Sequence, residues 1–188
     1  MRIGVLALQG AFIEHQRMLE KLGAETFEIR NLPDLNQAMD ALVLPGGEST
    51  VMYKIMKDQQ MVEPIKNLIA GGLPVMGTCA GLLLLAKNIH NWEYPFLGTM
   101  AITAKKNAYG KQLGSFRTKA TFAGIKDVEF VFIRAPYIEM VDKDVEVLSV
   151  VDDKIVAARQ GNQLATAFHP ELTDDLTVHK YFLNMIKK

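Results

Sequence analysis

Apolar residues in the first half of the chain switch between two periods. Residues 3–8 form a short, nearly unbroken apolar run, the pattern of a strand covered on both faces. Over residues 10–22, Phe12, His15, Leu19 and Leu22 recur at helical spacing, and Gly23 stands where a helix ends on a glycine. Residues 26–30 alternate, with Phe27 and Ile29 on one side. Residues 41–44 are a second buried-type strand that stops at Pro45-Gly46-Gly47, and Ser49 or Thr50 is placed to cap a helix through Met56. Pro64 suits the first turn of a helix that reaches Ala70 and closes on Gly71-Gly72. Residues 74–76 make a third buried strand, and residues 82–87 read as helical again.

The second half changes character. Residues 116–122 alternate, and residues 130–133 are an apolar strand. Residues 145–151, 154–159 and 163–168 are strand-like runs, separated by the hairpin turns Asp152-Asp153 and Gly161-Asn162. Thr173 with Asp174 and Asp175 opens a last helix, with Val178, Phe182, Met185 and Ile186 on its inner face. Alternating strands and helices followed by hairpins predict an α/β fold of three layers. Its flavodoxin-like central sheet is mostly parallel, with helices on both faces and an antiparallel extension. Ligands of such sheets bind at the carboxyl ends of the strands.

Length and charge narrow the picture. The 188 residues suffice for one domain with a full core, and no linker or repeat divides them, so residues 1–188 are expected to form a single domain. Lys and Arg number 21 and are balanced by 21 Asp and Glu. A neutral chain without a basic run has little electrostatic means of holding nucleic acid or an anionic membrane, so neither is an expected partner. No apolar run reaches 18 residues, and the first apolar run is too short for a signal peptide. A cytoplasmic location is expected. The single cysteine, Cys79, forms no internal disulfide or cysteine-based zinc cluster, so it is either inert or chemically important.

Three segments carry candidate chemistry. Gly77-Thr78-Cys79-Ala80-Gly81 lies between a buried strand and a helix and has the form of a nucleophile elbow with cysteine in place of serine. A helix N-terminus behind a thiol favours the thiolate. Phe168-His169-Pro170-Glu171 ends the last strand. In an extended segment residues two apart share a face and lie roughly 6.6 Å apart. Pro170 would hold His169 extended, leaving Glu171 within reach of one ring nitrogen. His15 falls on the apolar side of a helix, and His90 and His179 lack such a carboxylate neighbour, so these three read as structural or exposed. Third, the glycine pair in Leu44-Pro45-Gly46-Gly47-Glu48-Ser49-Thr50 exposes backbone N–H groups to a ligand or oxyanion. It lacks the lysine of a phosphate loop, and no dinucleotide fingerprint follows the first strand. No cofactor and no metal are therefore expected. A parallel sheet would bring all three segments to one rim.

The elbow cysteine and the later His-Pro-Glu resemble the class I (triad) glutamine amidotransferases. Within them, the chain is similar to the family of glutaminase subunits of pyridoxal 5′-phosphate synthases. Residues 4–10, Pro45-Gly46-Gly47-Glu48-Ser49-Thr50, the elbow, Phe132-Ile133-Arg134-Ala135-Pro136 and Phe168-His169-Pro170-Glu171-Leu172-Thr173 carry that similarity along nearly the whole chain. The resemblance implies hydrolysis of L-glutamine to L-glutamate and ammonia, with Cys79 as nucleophile, His169 as proton carrier and Glu171 orienting it. It implies oxyanion stabilisation by the backbone N–H groups of Gly47 and Ala80. Substrate would be held by Gly47, Glu48, Ser49, Lys106, Ile133 and Arg134. The implied partner is a TIM-barrel synthase subunit that uses the ammonia, with Gln9-Gly10 in the contact region. The family's usual arginine is replaced here by Lys106, ahead of residues 107–112, and lysine cannot reproduce the two-pronged grip of a guanidinium on a carboxylate. Weaker glutamine binding is the expectation. Two rival readings are another cysteine hydrolase on the same sheet, such as a γ-glutamyl hydrolase relative, and a non-catalytic binding module.

Overall fold

Strand β1 (Arg2–Leu6) is buried from Ile3 onward, as the middle of a parallel sheet requires. Helix α1 (Phe12–Lys21) buries His15, Met18 and Leu19 and ends near Gly23, whose φ of 80° suits a helix-terminating glycine. The chain returns as β2 (Glu25–Ile29) and, after a short 3-10 turn at Leu32–Asn36, as β3 (Ala41–Leu44). Helices α2 (Ser49–Asp58) and α3 (Val62–Ala70) lead to β4 (Val75–Thr78), and α4 (Ala80–Leu85) follows at once. Strands β5 (Ala86–Ile89), β6 (Met100–Lys105), β7 (Ser115–Phe122), β8 (Ile125–Ile133) and β9 (Tyr137–Val141) come next. β10 (Glu146–Val151), β11 (Lys154–Gln160), β12 (Gln163–Thr166) and α5 (Thr177–Ile186) complete the chain. This computed structural model describes residues 1–93, 95–106 and 115–186; Tyr94 and the motif at 107–112 lie outside them.

The main sheet runs β2-β1-β3-β4-β12-β11-β9-β6-β5, with β10 on β11. Its first five strands are parallel, in the flavodoxin-like order 2-1-3-4-5 with β12 in fifth place. From β12 to β6 the neighbours are antiparallel, which is the expected extension. Strands β7 and β8 form a separate antiparallel ribbon. Successive β4 residues show helices on both faces. The Thr78 hydroxyl meets His15 of α1, which bonds His179 of α5, whereas a Cβ built on Gly77 would come within 2.6 Å of Gly81 in α4. Helix α2 packs on α4 on that second side. The methionines mostly serve the core, with Met52, Met56, Met61, Met76 and Met100 fully buried.

Four local expectations are corrected. The helix expected at 82–87 stops at Leu85, because Ala86 turns extended and β5 pairs with β6, a partner distant in sequence. Neither Ser49 nor Thr50 caps α2; Glu48 takes the N-cap position without a side-chain hydrogen bond. The last helix starts at Thr177, whose N–H donates to Asp175 Oδ1 at 2.9 Å, and Thr173 instead closes a 3-10 turn at Pro170–Leu172. Glu171 therefore reaches His169 around that turn and not along an extended segment.

Candidate active site

Three neighbouring strands end at the same rim. Leu44 of β3 pairs with Gly77 of β4, and Thr78 of β4 pairs with Thr166 of β12. The residues just beyond, Gly46-Gly47, Cys79 and His169, are thereby side by side. Cys79 has φ 50° and ψ −99°, a strained elbow that turns the chain from strand to helix in one residue. Its N–H donates to the Thr166 carbonyl at 2.8 Å. Gly81 is required by close approach: a Cβ there would strike the Leu44 carbonyl. His169 is held from the other side by the ribbon. Its N–H donates to the Val131 carbonyl at 2.8 Å, and the preceding Phe168 ring stacks on Phe130 with centroids 3.7 Å apart.

Cys79, His169 and Glu171 are 8%, 6% and 5% exposed, so their interactions act with little competition from water. His169 Nδ1 lies 2.7 Å from Glu171 Oε1. Burial disfavours a charged imidazole, but hydrogen bonds to Cys79 and Glu171 outweigh it and raise His169 to about 10. Burial would raise Glu171 as well; the imidazoles of His15 and His169 against it hold its carboxyl below the ordinary range. At neutral pH the ring is protonated between the sulfur and a carboxylate. Gly46 makes room for it, because a Cβ there would collide with the His169 ring and come within 3.4 Å of Cys79 Cβ.

A cleft of about 590 Å³ opens over this line. Gly47, Glu48, Ser49, Cys79, Ala80, Lys106, Ile133, Arg134 and His169 all border it, and Glu171 lies behind His169. Gln9 and Gly10 border it too: Gln9 Oε1 accepts the Glu48 N–H at 2.7 Å, and the Gly46 carbonyl accepts the Ala11 N–H at 3.2 Å. The loop after β1 thus braces the glycine loop after β3.

Residues 5–188 match the model of the SNO glutamine amidotransferase family. The chain belongs to this family. It is 62% identical to the pyridoxal 5′-phosphate synthase subunit PdxT of Methanocorpusculum labreanum, over 99% of this chain and 98% of that one. It is 53% identical to a Streptococcus pneumoniae protein of the same name, over 100% and 98%. A crystal structure of a glutamine amidotransferase superposes with a TM-score of 0.93 at 40% identity, covering 99% of each chain.

This SNO-family site contains groups that sequence reasoning passed over. His15 is not merely an apolar-face histidine: its Nε2 lies 3.3 Å from Glu171 Oε2 and 3.0 Å from Thr78 Oγ1. Its Nδ1 is 3.0 Å from His179 Nε2. His90 also has a carboxylate partner, Glu139 Oε2 at 3.0 Å, away from the cleft. Trp92, without an assigned role in the sequence, lies under Lys106, whose Nζ is 4.0 Å from the indole centroid. The only sequence signal for His15 was its place on the inner side of α1, a position that any core residue could fill.

Proposed function

We propose that this chain hydrolyses L-glutamine to L-glutamate and ammonia through a cysteine thioester, and that it passes the ammonia to a pyridoxal 5′-phosphate synthase partner. The observation that carries this reading is the buried Cys79–His169–Glu171 line on the floor of a cleft. Cys79 Sγ attacks the side-chain amide carbon. The oxygen, now negative, is met by the backbone N–H groups of Gly47 and Ala80. The tetrahedral centre collapses as His169 gives its proton to the departing nitrogen, and ammonia leaves. The same ring, now neutral, takes a proton from water as the water attacks the thioester. Glutamate is released and the sulfur is freed.

Glu171 keeps the ring oriented and stabilises its charged form through the 2.7 Å contact. Glu48, Ser49, Lys106, Ile133 and Arg134 offer polar and backbone groups for the amino-acid end of the substrate. The PdxT name of the relatives supports the partner assignment. In this reading the chain works in the cytoplasm as one domain over residues 1–188. No helix among the described residues is long and apolar enough to cross a membrane.

The test is ammonia release from glutamine by the wild type and Cys79→Ala, each with and without the synthase subunit. Release by the wild type with its partner, falling to background in Cys79→Ala, is the expected outcome. No release by the wild type with the partner present overturns the reading, and persistent release by Cys79→Ala overturns the mechanism.

A further inference from the structure

Two histidines with no solvent exposure lie beneath the site, on the face of the sheet opposite α4. His15 comes from α1 and His179 from α5, 164 residues apart in sequence. The reaction as written does not use them. They join it at the inner oxygen of Glu171, which has no aligned hydrogen bond among the described residues. His15 Nε2 stands 3.3 Å from that oxygen. An ionised carboxylate only accepts, so a lone pair on Nε2 would repel it and an N–H there attracts it. With the proton on Nε2, His15 Nδ1 must accept, and the group facing it at 3.0 Å is His179 Nε2. His179 must then carry its proton on Nε2, leaving its Nδ1 bare. That Nδ1 is the one ring nitrogen of the pair without a partner among the described residues. A bare ring nitrogen in an apolar setting costs less than an orphaned N–H. In these tautomers the His15 Nε2–H is aligned on Thr78 Oγ1 at 3.0 Å and also faces the Glu171 oxygen at 3.3 Å, acting on it by charge–dipole attraction, while Nδ1 accepts from His179.

We propose that His15 is a positioning residue for the glutaminase reaction: its Nε2–H steadies the inner oxygen of Glu171, so that the outer oxygen stays on His169 Nδ1, and His179 selects the tautomer that allows it. The proposal rests on the glutaminase reading above. The titratable groups acting on His15 are Glu171, His169 and His179, with Glu14 on α1 itself. Burial pushes both inner histidines down, His179 to about 3, so they serve as neutral rings.

The experiment compares wild type, His15→Leu and His15→Gln in complex with the synthase subunit, reading kcat and KM for glutamine across pH. In the isolated chain, the proton NMR signal of His169 Nδ1–H is followed as well. His15→Leu is expected to lower kcat about tenfold or more with KM nearly unchanged, since support removed from an orienting group acts on the chemical step. Its acid limb should move to higher pH, because Glu171 without a donor protonates more easily. The Nδ1–H signal should lose its strongly hydrogen-bonded, downfield position. His15→Gln, whose amide can donate, should restore most of the rate and the signal. An active wild type with His15→Leu unchanged in kcat, acid limb and NMR signal overturns the proposal, as does a folded His15→Gln as impaired as the leucine variant. A wild type that releases no ammonia overturns the glutaminase reading instead, and the NMR signal still decides whether His15 positions Glu171. If His15→Leu does not fold, His179→Leu takes its place, with a smaller loss of kcat expected and an unchanged rate overturning the proposal.

Discussion

Lys106 Nζ sits 4.0 Å from the Trp92 ring centroid and 5.3 Å from that of Phe96, at the edge of the cleft. Burial lowers its proton affinity while Glu48 nearby raises it. An ammonium on aromatic faces is restrained in position but still acts as a point charge, without the paired donors of a guanidinium. If Lys106 meets the carboxylate of glutamine, Lys106→Arg should lower KM by about three- to tenfold with kcat little changed. Trp92→Ala should raise KM by releasing the ammonium from its aromatic seat. Steady-state kinetics on the complex with the partner checks both, and a KM for Lys106→Arg equal to or above wild type contradicts the assignment. The lysine was legible in the sequence as a departure from the family's arginine. Its aromatic support was not, because Trp92 and Lys106 come together only through the bend of the chain between β5 and β6.

Among the secondary-structure elements, the ends of β3, β4 and β12 decide the site. The buried runs at 41–44 and 74–76 announced their strands, and the glycines on either side of Cys79 announced a tight turn. The elbow's cost is met locally: Cys79 takes a φ of 50°, and α4 crosses so near β3 that Gly81 has no room for a side chain. Gly46 is the more functional of the close approaches, since the atom it excludes would land on the His169 ring. Gly46→Ala should lower kcat by about a hundredfold, the penalty of moving a catalytic group by roughly 1 Å, while far-UV circular dichroism stays native. A near-normal kcat would mean that the ring has space to retreat. Where element reading failed, distant partners were responsible. β5 exists because β6 lies ready to pair with it, and the His169–Glu171 turn depends on a ribbon strand that binds the His169 N–H.

For the molecule as a whole, the buried ionisable groups set a stability optimum. His179 falls to about 3 in the folded state against an ordinary 6.5, so below pH 6.5 the unfolded chain binds a proton that the folded chain refuses. Stability should drop as pH falls from 6.5 toward 3. His169 has the opposite sign: raised to about 10, it stabilises fully below pH 6.5 and loses that contribution as pH rises toward 10. Melting temperatures from pH 4 to 10 should flatten on the acid side in His179→Leu and on the alkaline side in His169→Asn. Slopes unchanged in both variants would contradict these protonation states. The sequence by itself determined the alternation of strands and helices as far as β4, the absence of strong charge and the three rim segments, because each is a local pattern of a few residues whose meaning survives without its surroundings, whereas β5, β6 and β9 were not legible in it. The tertiary structure alone decided that His15 and His179 meet beneath Glu171, and that Phe130 and Val131 anchor the segment bearing His169. Those contacts join residues up to 164 positions apart, and a histidine's role follows from the partners that burial gives it, which no local pattern encodes.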